Sequence, residues 1–261
     1  MQIARIEWEA KPRWALRQGD TWHALEGSLW GEMSPGEALC SLAGARYLAP
    51  LEPHNKVIGL GITYKSMWDA YQRREGACYR DGPAVFMKPP NTVIGQGEAI
   101  VQHAICQLLI YEAELGVVIG RRASRLTPDQ ALDYVAGYTC VNDVTCTRFF
   151  NVERPIISTR FKIADTFCPI GPLIETDLDP NNITIVCRVN GREVERANTG
   201  QDLCYSIAEL LAWVTSFMTL MPGDIVATGS SGTGPIRPGD TVEVDIEGIG
   251  VLRNPVVAPT G

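Results

Sequence analysis

Tyr111-Glu-Ala-Glu-Leu-Gly-Val-Val-Ile119 sets two acids one residue apart at the head of a strongly apolar run. Val117, Val118 and Ile119 read as a strand, and successive strand side chains alternate faces, so Glu112 and Glu114 are expected on one face. Like charges side by side repel, and a half-buried strand gains nothing from them unless a cation or a proton compensates. Hard divalent cations such as Mg²⁺ and Mn²⁺ prefer carboxylate oxygens. The alternative is an exposed strand end carrying solvated acids.

A third acid bears on that choice. Tyr138-Thr-Cys-Val-Asn-Asp143 is another short strand ending in polar residues. Between the two lies Thr127-Pro-Asp-Gln-Ala-Leu-Asp-Tyr134, whose spacing predicts a helix start: Thr127 as N-cap, Pro128 at the first helical position, Gln130 completing a capping box. Strand, short helix, strand can lay the second strand beside the first and carry Asp143 toward Glu112 and Glu114. Three carboxylates would supply half of an octahedral shell, leaving positions for water and a chelating substrate.

These segments, with Lys162, Asp165-Thr-Phe-Cys-Pro-Ile-Gly-Pro172, Val189-Asn-Gly191, Phe217-Met-Thr-Leu-Met-Pro-Gly-Asp224, Thr228-Gly229 and Glu247-Gly-Ile-Gly-Val-Leu-Arg-Asn254, resemble the fumarylacetoacetate hydrolase family over residues 55 to 257. The resemblance implies a mixed β-roll, a Mg²⁺ or Mn²⁺ cofactor on Glu112, Glu114 and Asp143, a catalytic lysine at Lys162, a small-molecule 2-oxo acid substrate and a homodimer.

Composition is compatible with this. The chain has 261 residues, 45% hydrophobic and 20% charged, with a net charge of −7. That length suits one sizeable domain plus an appendage. The acidic balance argues against a nucleic-acid surface or an anionic-lipid patch. No apolar run approaches membrane-spanning length, and no signal-peptide pattern opens the chain. The 8 cysteines form no C-x-x-C pair and sit mostly in apolar segments, so they are expected as reduced core residues in a cytoplasmic protein.

Residues 1–52 read as a small N-terminal β-rich region, with Trp8, Trp14, Trp22 and Trp30 in short strands, and residues 53–261 as the catalytic domain. Val57 to Leu60, Ala84 to Met87 and Ile183 to Val189 are strand candidates. Ile225 to Thr228 and Thr241 to Ile246 read as closing strands around the turn at Pro238-Gly-Asp240. The strongest helix runs from Ser206 to Leu220, with a Ser206/Glu209 capping box and a stripe of Ile207, Leu210, Leu211, Val214, Phe217 and Met218. Many short strands with few helices make a β-rich α+β class.

Around the acids, Arg160 and Lys162 are candidate substrate or enolate contacts, although Arg160 with Asp165 also reads as an ordering pair. Thr228-Gly-Ser230 opens a Gly/Ser loop whose backbone N–H groups can hold a carboxylate, where the family has a second threonine in place of Ser230. Tyr64 falls in a Gly-x-x-Tyr segment of the lid. There the family's hydrolases carry a histidine and then a glutamate that activate water; this chain has Met67 and Ala70. His23, His54 and His103 lie elsewhere, and Asp69 and Glu75 are the nearest acids. This lid, together with Lys88-Pro-Pro-Asn-Thr-Val-Ile-Gly-Gln-Gly-Glu98, resembles one half of the decarboxylase/isomerase of homoprotocatechuate breakdown, the 2-hydroxyhepta-2,4-diene-1,7-dioate isomerase type. That half lacks the full acid triad, so the chain mixes features of both halves. The expected function is decarboxylation or isomerisation of a 2-oxo or 2-hydroxy-dienoic dicarboxylate in aromatic-compound catabolism. Acylpyruvate-type C–C hydrolysis, or a non-catalytic role for the same scaffold, are the alternatives.

Overall fold

The computed structural model describes residues 1–72, 82–149 and 161–259. A 12-stranded sheet dominates, its main path running Met33–Ser41, Thr21–Gly27, Lys11–Gln18, Gln2–Trp8, Cys168–Glu175, Val135–Asn142, Ala113–Ile119, Ile225–Ala227, Val57–Gly61 and Ala84–Lys88. A five-stranded sheet (Arg192–Asn198, Thr184–Val189, Thr241–Ile246, Gly250–Val257, Ile100–Val101) and a three-stranded one (Thr145–Phe149, Cys106–Tyr111, Gly234–Ile236) complete a β-rich α+β fold.

The Ala113–Ile119 strand is buried at every position. The half-buried strand expected from the sequence is therefore corrected: it is a central strand flanked by Val135–Asn142 and Ile225–Ala227, and both of its faces are covered. Burying Leu115, Val117 and Ile119 stabilises by about 1.5–3 kcal/mol each. Val135–Asn142 runs antiparallel to it, with Ala113 opposite Asn142 and Glu114 opposite Val141. That register brings Asp143 level with Glu112, and Asp143 N–H donates to the Glu112 carbonyl at 2.9 Å. The linking helix is shorter than expected, Pro128–Ala131 followed by a 3₁₀ turn, and Thr127 makes no side-chain cap bond.

The N-terminal strands continue the main sheet, since Gln2 pairs with Glu175 and Ile3 with Ile174. Trp22 is fully buried there, and Trp14 packs edge-on against Trp30. The helix Ile207–Phe217 keeps the full Ser206/Glu209 capping box. It buries Ile207, Leu210, Leu211 and Val214, whereas Phe217, expected in the stripe, is 56% exposed. Ile225–Ala227 and Thr241–Ile246 do not pair across a common turn: one lies parallel to Val57–Gly61, the other in the five-stranded sheet. In the Asn190-Gly191 turn both residues have positive φ (54° and 75°), the two-residue hairpin geometry that favours glycine and joins Thr184–Val189 to Arg192–Asn198.

The expectation that the cysteines are all thiols is corrected for one pair. Cys106 and Cys146 form a disulfide, because the antiparallel Cys106–Tyr111 and Thr145–Phe149 strands bring their Cα atoms to 5.9 Å. Cys140, Cys168 and Cys187 are free and buried, Cys40 and Cys204 are free, and Cys78 lies outside the described residues.

Candidate metal centre and its cavity

Glu112, Glu114 and Asp143 each present a carboxylate oxygen within 4.8 Å of the others. Glu112 sits in the one-residue break between Cys106–Tyr111 and Ala113–Ile119, Glu114 within the second strand, and Asp143 just past Val135–Asn142. Glu114 and Asp143 are wholly buried.

Two ammonium groups enter the cluster. Lys162 Nζ donates to Glu112 Oε2 at 3.0 Å, to Thr145 Oγ1 at 2.8 Å and to Asp143 Oδ2. It also lies 4.5 Å above the Phe86 ring, a cation–π contact. Lys88 Nζ lies 2.7 Å from Asp143 Oδ1, not aligned as a hydrogen bond, and donates to the Val144 carbonyl at 3.1 Å. Thr145 Oγ1 donates to Glu112 Oε1 at 2.8 Å.

Three carboxylates against two ammoniums leave one negative charge, and the geometry locates the deficit. Glu114 Oε2 accepts from Gly229 N–H at 2.8 Å, while Glu114 Oε1 is buried with no hydrogen-bond partner. Burial, then Asp143 and Glu112, push the Glu114 carboxyl well above its usual value. Glu112 is raised too, by burial first, with Lys162 opposing. Burial also acts on Asp143, but Lys162 and Lys88 outweigh it and hold its carboxyl below the usual range. Lys162 is the reverse case: burial would lower it, yet Asp143 and Glu112 keep its ammonium more firmly protonated than usual. An orphaned buried oxygen beside two further carboxylates is the donor set a hard divalent cation takes.

A cavity of about 360 Å³ opens onto this cluster, its wall including Glu112, Lys162, Ser230, Phe86, Met67 and Ala70. Both lid positions singled out in the sequence thus face the same space as the acids, and both are apolar. Asp69 is exposed, and Glu75 and Arg160 lie outside the described residues. His103 bonds the Asp165 carbonyl beside a different cavity, and Asp165 accepts from Asn91. Tyr64 and Thr228 are fully buried behind the cavity wall, their hydroxyls neighbours without good hydrogen-bond geometry. Gly229, at φ +85°, passes so close to Thr63 that a Cβ would fall 2.1 Å from its Oγ1.

Lys88, Thr145 and Phe86 were not among the candidate site residues of the sequence, where Lys88 appeared only at the head of the Lys88–Glu98 segment. Lys88 leaves one signal, a lysine ending the otherwise apolar Ala84–Lys88 strand. Thr145 and Phe86 leave none, because their roles exist only once strands remote in sequence meet.

Comparison with known proteins agrees with this construction. Residues 56–257 match the fumarylacetoacetate (FAA) hydrolase C-terminal family, and residues 1–50 match the Rv2993c-like N-terminal family. The crystal structure of 2-hydroxyhepta-2,4-diene-1,7-dioate isomerase from Mycobacterium marinum superposes with a TM-score of 0.87 at 32% identity, covering 100% of both chains. The Escherichia coli 4-hydroxyphenylacetate degradation bifunctional isomerase/decarboxylase is 37% identical over 79% of this chain and 48% of its own length. The mitochondrial oxaloacetate tautomerase Fahd2a of Rattus norvegicus is 34% identical over 81% of this chain and 69% of its own. With a centre of buried acids on a shared fold and a family match spanning most of its length, the chain belongs to the fumarylacetoacetate hydrolase family.

Proposed function

We propose that the protein is a divalent-metal-dependent decarboxylase or isomerase acting on a 2-oxo or 2-hydroxy-dienoic dicarboxylate in aromatic-compound catabolism. Glu112, Glu114 and Asp143 would hold Mg²⁺ or Mn²⁺. When bound, the cation supplies electrophilic polarisation of the 2-oxo group. Lys162, its ammonium held by Glu112, Thr145 and the Phe86 ring, would stabilise the negative charge that develops on the substrate's enolate oxygen. The N–H groups and hydroxyl of the Gly229–Ser230 segment are assigned the substrate's carboxylate, with Tyr64 and Thr228 supporting that segment from behind.

One observation carries the choice of reaction: Met67 and Ala70 line the cavity where a hydrolase would carry its water-activating pair. Hydrolysis of a C–C bond needs a base poised to take a proton near neutral pH, which a thioether and a methyl group cannot supply. Decarboxylation forms the enolate by loss of CO₂ with no base, and isomerisation of a 2-hydroxy-diene forms it by loss of the acidic enol proton to solvent, with no water to activate; in both the enolate then takes a proton from solvent at carbon. The named relatives, an isomerase, an isomerase/decarboxylase and a tautomerase, support the same reading. A cytoplasmic homodimer is part of this proposal.

The test is a panel of oxaloacetate, acylpyruvates and 2-hydroxymuconate-type dienes, each with Mg²⁺ and with EDTA. Metal-dependent turnover of the oxo acid or diene is expected to exceed acylpyruvate hydrolysis. Efficient hydrolysis with the other substrates inert overturns the ranking.

A further inference from the structure

Glu195 lies outside the acid cluster yet is tied to the cavity. It sits on Arg192–Asn198, the outer strand of the five-stranded sheet, opposite Cys187. Its Oε1 accepts three bonds from one short stretch: Ser231 N–H at 3.1 Å, Ser231 hydroxyl at 2.7 Å and Gly232 N–H at 2.9 Å. Its Oε2 is buried without a partner. The stretch it grips directly follows Ser230, which lines the cavity with Glu112 and Lys162. Two residues earlier, Gly229 N–H is bonded to Glu114. The Ser231 carbonyl in turn accepts from the Ser66 hydroxyl, at the start of the helix that carries Met67 and Ala70. One carboxylate therefore fastens the far end of a loop whose near end is fastened by the acid centre, and through Ser231 it reaches the lid.

We propose that Glu195 is a positioning residue whose ionised carboxylate fixes the Gly229–Gly232 loop for substrate capture without taking part in the chemical step. The inference rests on the reading above, in which this loop receives the substrate's carboxylate. An ionised acceptor holds N–H and O–H donors roughly twice as strongly as a neutral one, so protonation loosens the loop. Burial pushes the Glu195 carboxyl up to about 7, against the opposing pull of its bonds from Ser231 and Gly232. The titratable groups facing it are Tyr64, Tyr111, Cys187 and Glu112. Burial raises the two phenols and the thiol, which stay neutral near pH 7, and the charge of Glu112 raises Glu195 further. Capture is then strongest above about pH 7 and weakens as pH falls through that value.

Glu195 shares a strand face with Ala197, which is buried, so its side chain faces inward.

The experiment compares wild type, Glu195→Gln and Ser231→Ala by steady-state kinetics from pH 6 to 8 and by amide exchange of Ser231 and Gly232, corrected for intrinsic rates. Glu195→Gln keeps the shape and removes the charge. It should raise KM about tenfold at pH 8, leave kcat within about twofold, and abolish the pH dependence of KM. Ser231→Ala, which deletes one of the three bonds, should raise KM less and keep the pH dependence. Exchange protection of Gly232 should fall from pH 8 to 6 in wild type and be flat in Glu195→Gln. An unaltered KM profile with unaltered protection overturns the proposal. If the protein turns over none of the substrates, the assigned reaction fails, while the exchange data still decide whether Glu195 holds the loop.

Discussion

The N-terminal layer and the acid centre belong to one sheet, yet they bury polar groups on opposite terms. In the first layer, Trp22 is wholly buried and its indole N–H donates to the Tyr47 hydroxyl at 3.1 Å, which donates onward to the Leu42 carbonyl. Trp14 N–H reaches Glu52 Oε1 at 2.8 Å. Arg5 Nε is the exception there, unpartnered, although the same guanidinium faces Glu52 at 3.6 Å. In the acid centre the oxygens without a hydrogen-bond partner are carboxylate oxygens: Asp143 Oδ1, which has the Lys88 ammonium beside it, and Glu114 Oε1, in a strand with no exposed position. Satisfied burial of the first kind adds stability; a carboxylate left short of partners subtracts from it. A fold keeps such a defect where something outside the chain completes it, and this contrast sets the acid centre, with three carboxylates together, apart from the N-terminal layer.

The comparison is most strongly tested at Lys162. Lys162→Met preserves the side-chain stem and removes the charge. Turnover should fall by about 10²–10³-fold if the ammonium meets charge developing in the transition state. Little change in melting temperature would be expected of a purely catalytic lysine. The three bonds it makes to the acid centre predict instead a loss in metal-free protein that added Mg²⁺ partly restores. Wild-type turnover in the variant would reduce Lys162 to an ordinary ion-pair partner.

Trp22→Ala should do the converse. Removing a fully buried indole costs about 3–5 kcal/mol of unfolding free energy, read from urea midpoints, while metal affinity of the folded fraction stays as in wild type. Lost metal binding at temperatures where the variant is still folded would show that the two regions are not separable.

A smaller effect is expected from pH. The folded carboxyl of Glu114 is raised above its ordinary value of 4.5, so ionising it costs more in the folded chain than in the unfolded one. Through this group, metal-free protein should lose stability as pH rises from about 4.5 toward neutrality, where the unfolded state releases its proton first. Asp143 has the opposite sign: its lowered value gives stability present above 3.8 that disappears as acid protonates the folded group. The melting-temperature gain on adding Mg²⁺ should therefore widen between pH 5 and pH 7. A gap independent of pH would mean that Glu114 is not ionised on binding.

Much of the centre was legible because it depends on local pattern. The spacing of Glu112 and Glu114, the apolar run after them and the polar end of Tyr138–Asp143 are properties of two adjacent strands and a short link. The Ser206/Glu209 capping box is likewise complete within four residues. What escaped depends on strands far apart in the chain. Val57–Gly61 runs parallel to Ile225–Ala227, and Cys106 meets Cys146 across a separation of 40 residues. Thr127 shows how a local pattern fails: its box had the right residues, but the helix ends after one turn and the cap bond is not made. Alternation also misled at Glu114, since a central strand covered on both faces has no wet side on which to place a charge.

The account stands on a cation completing the acid centre, and titration calorimetry on metal-free protein tests that most directly. Mg²⁺ or Mn²⁺ should bind wild type at one site per chain, and Glu114→Ala should bind neither while keeping its fold by circular dichroism. Equal stoichiometry and affinity in the two proteins would contradict it.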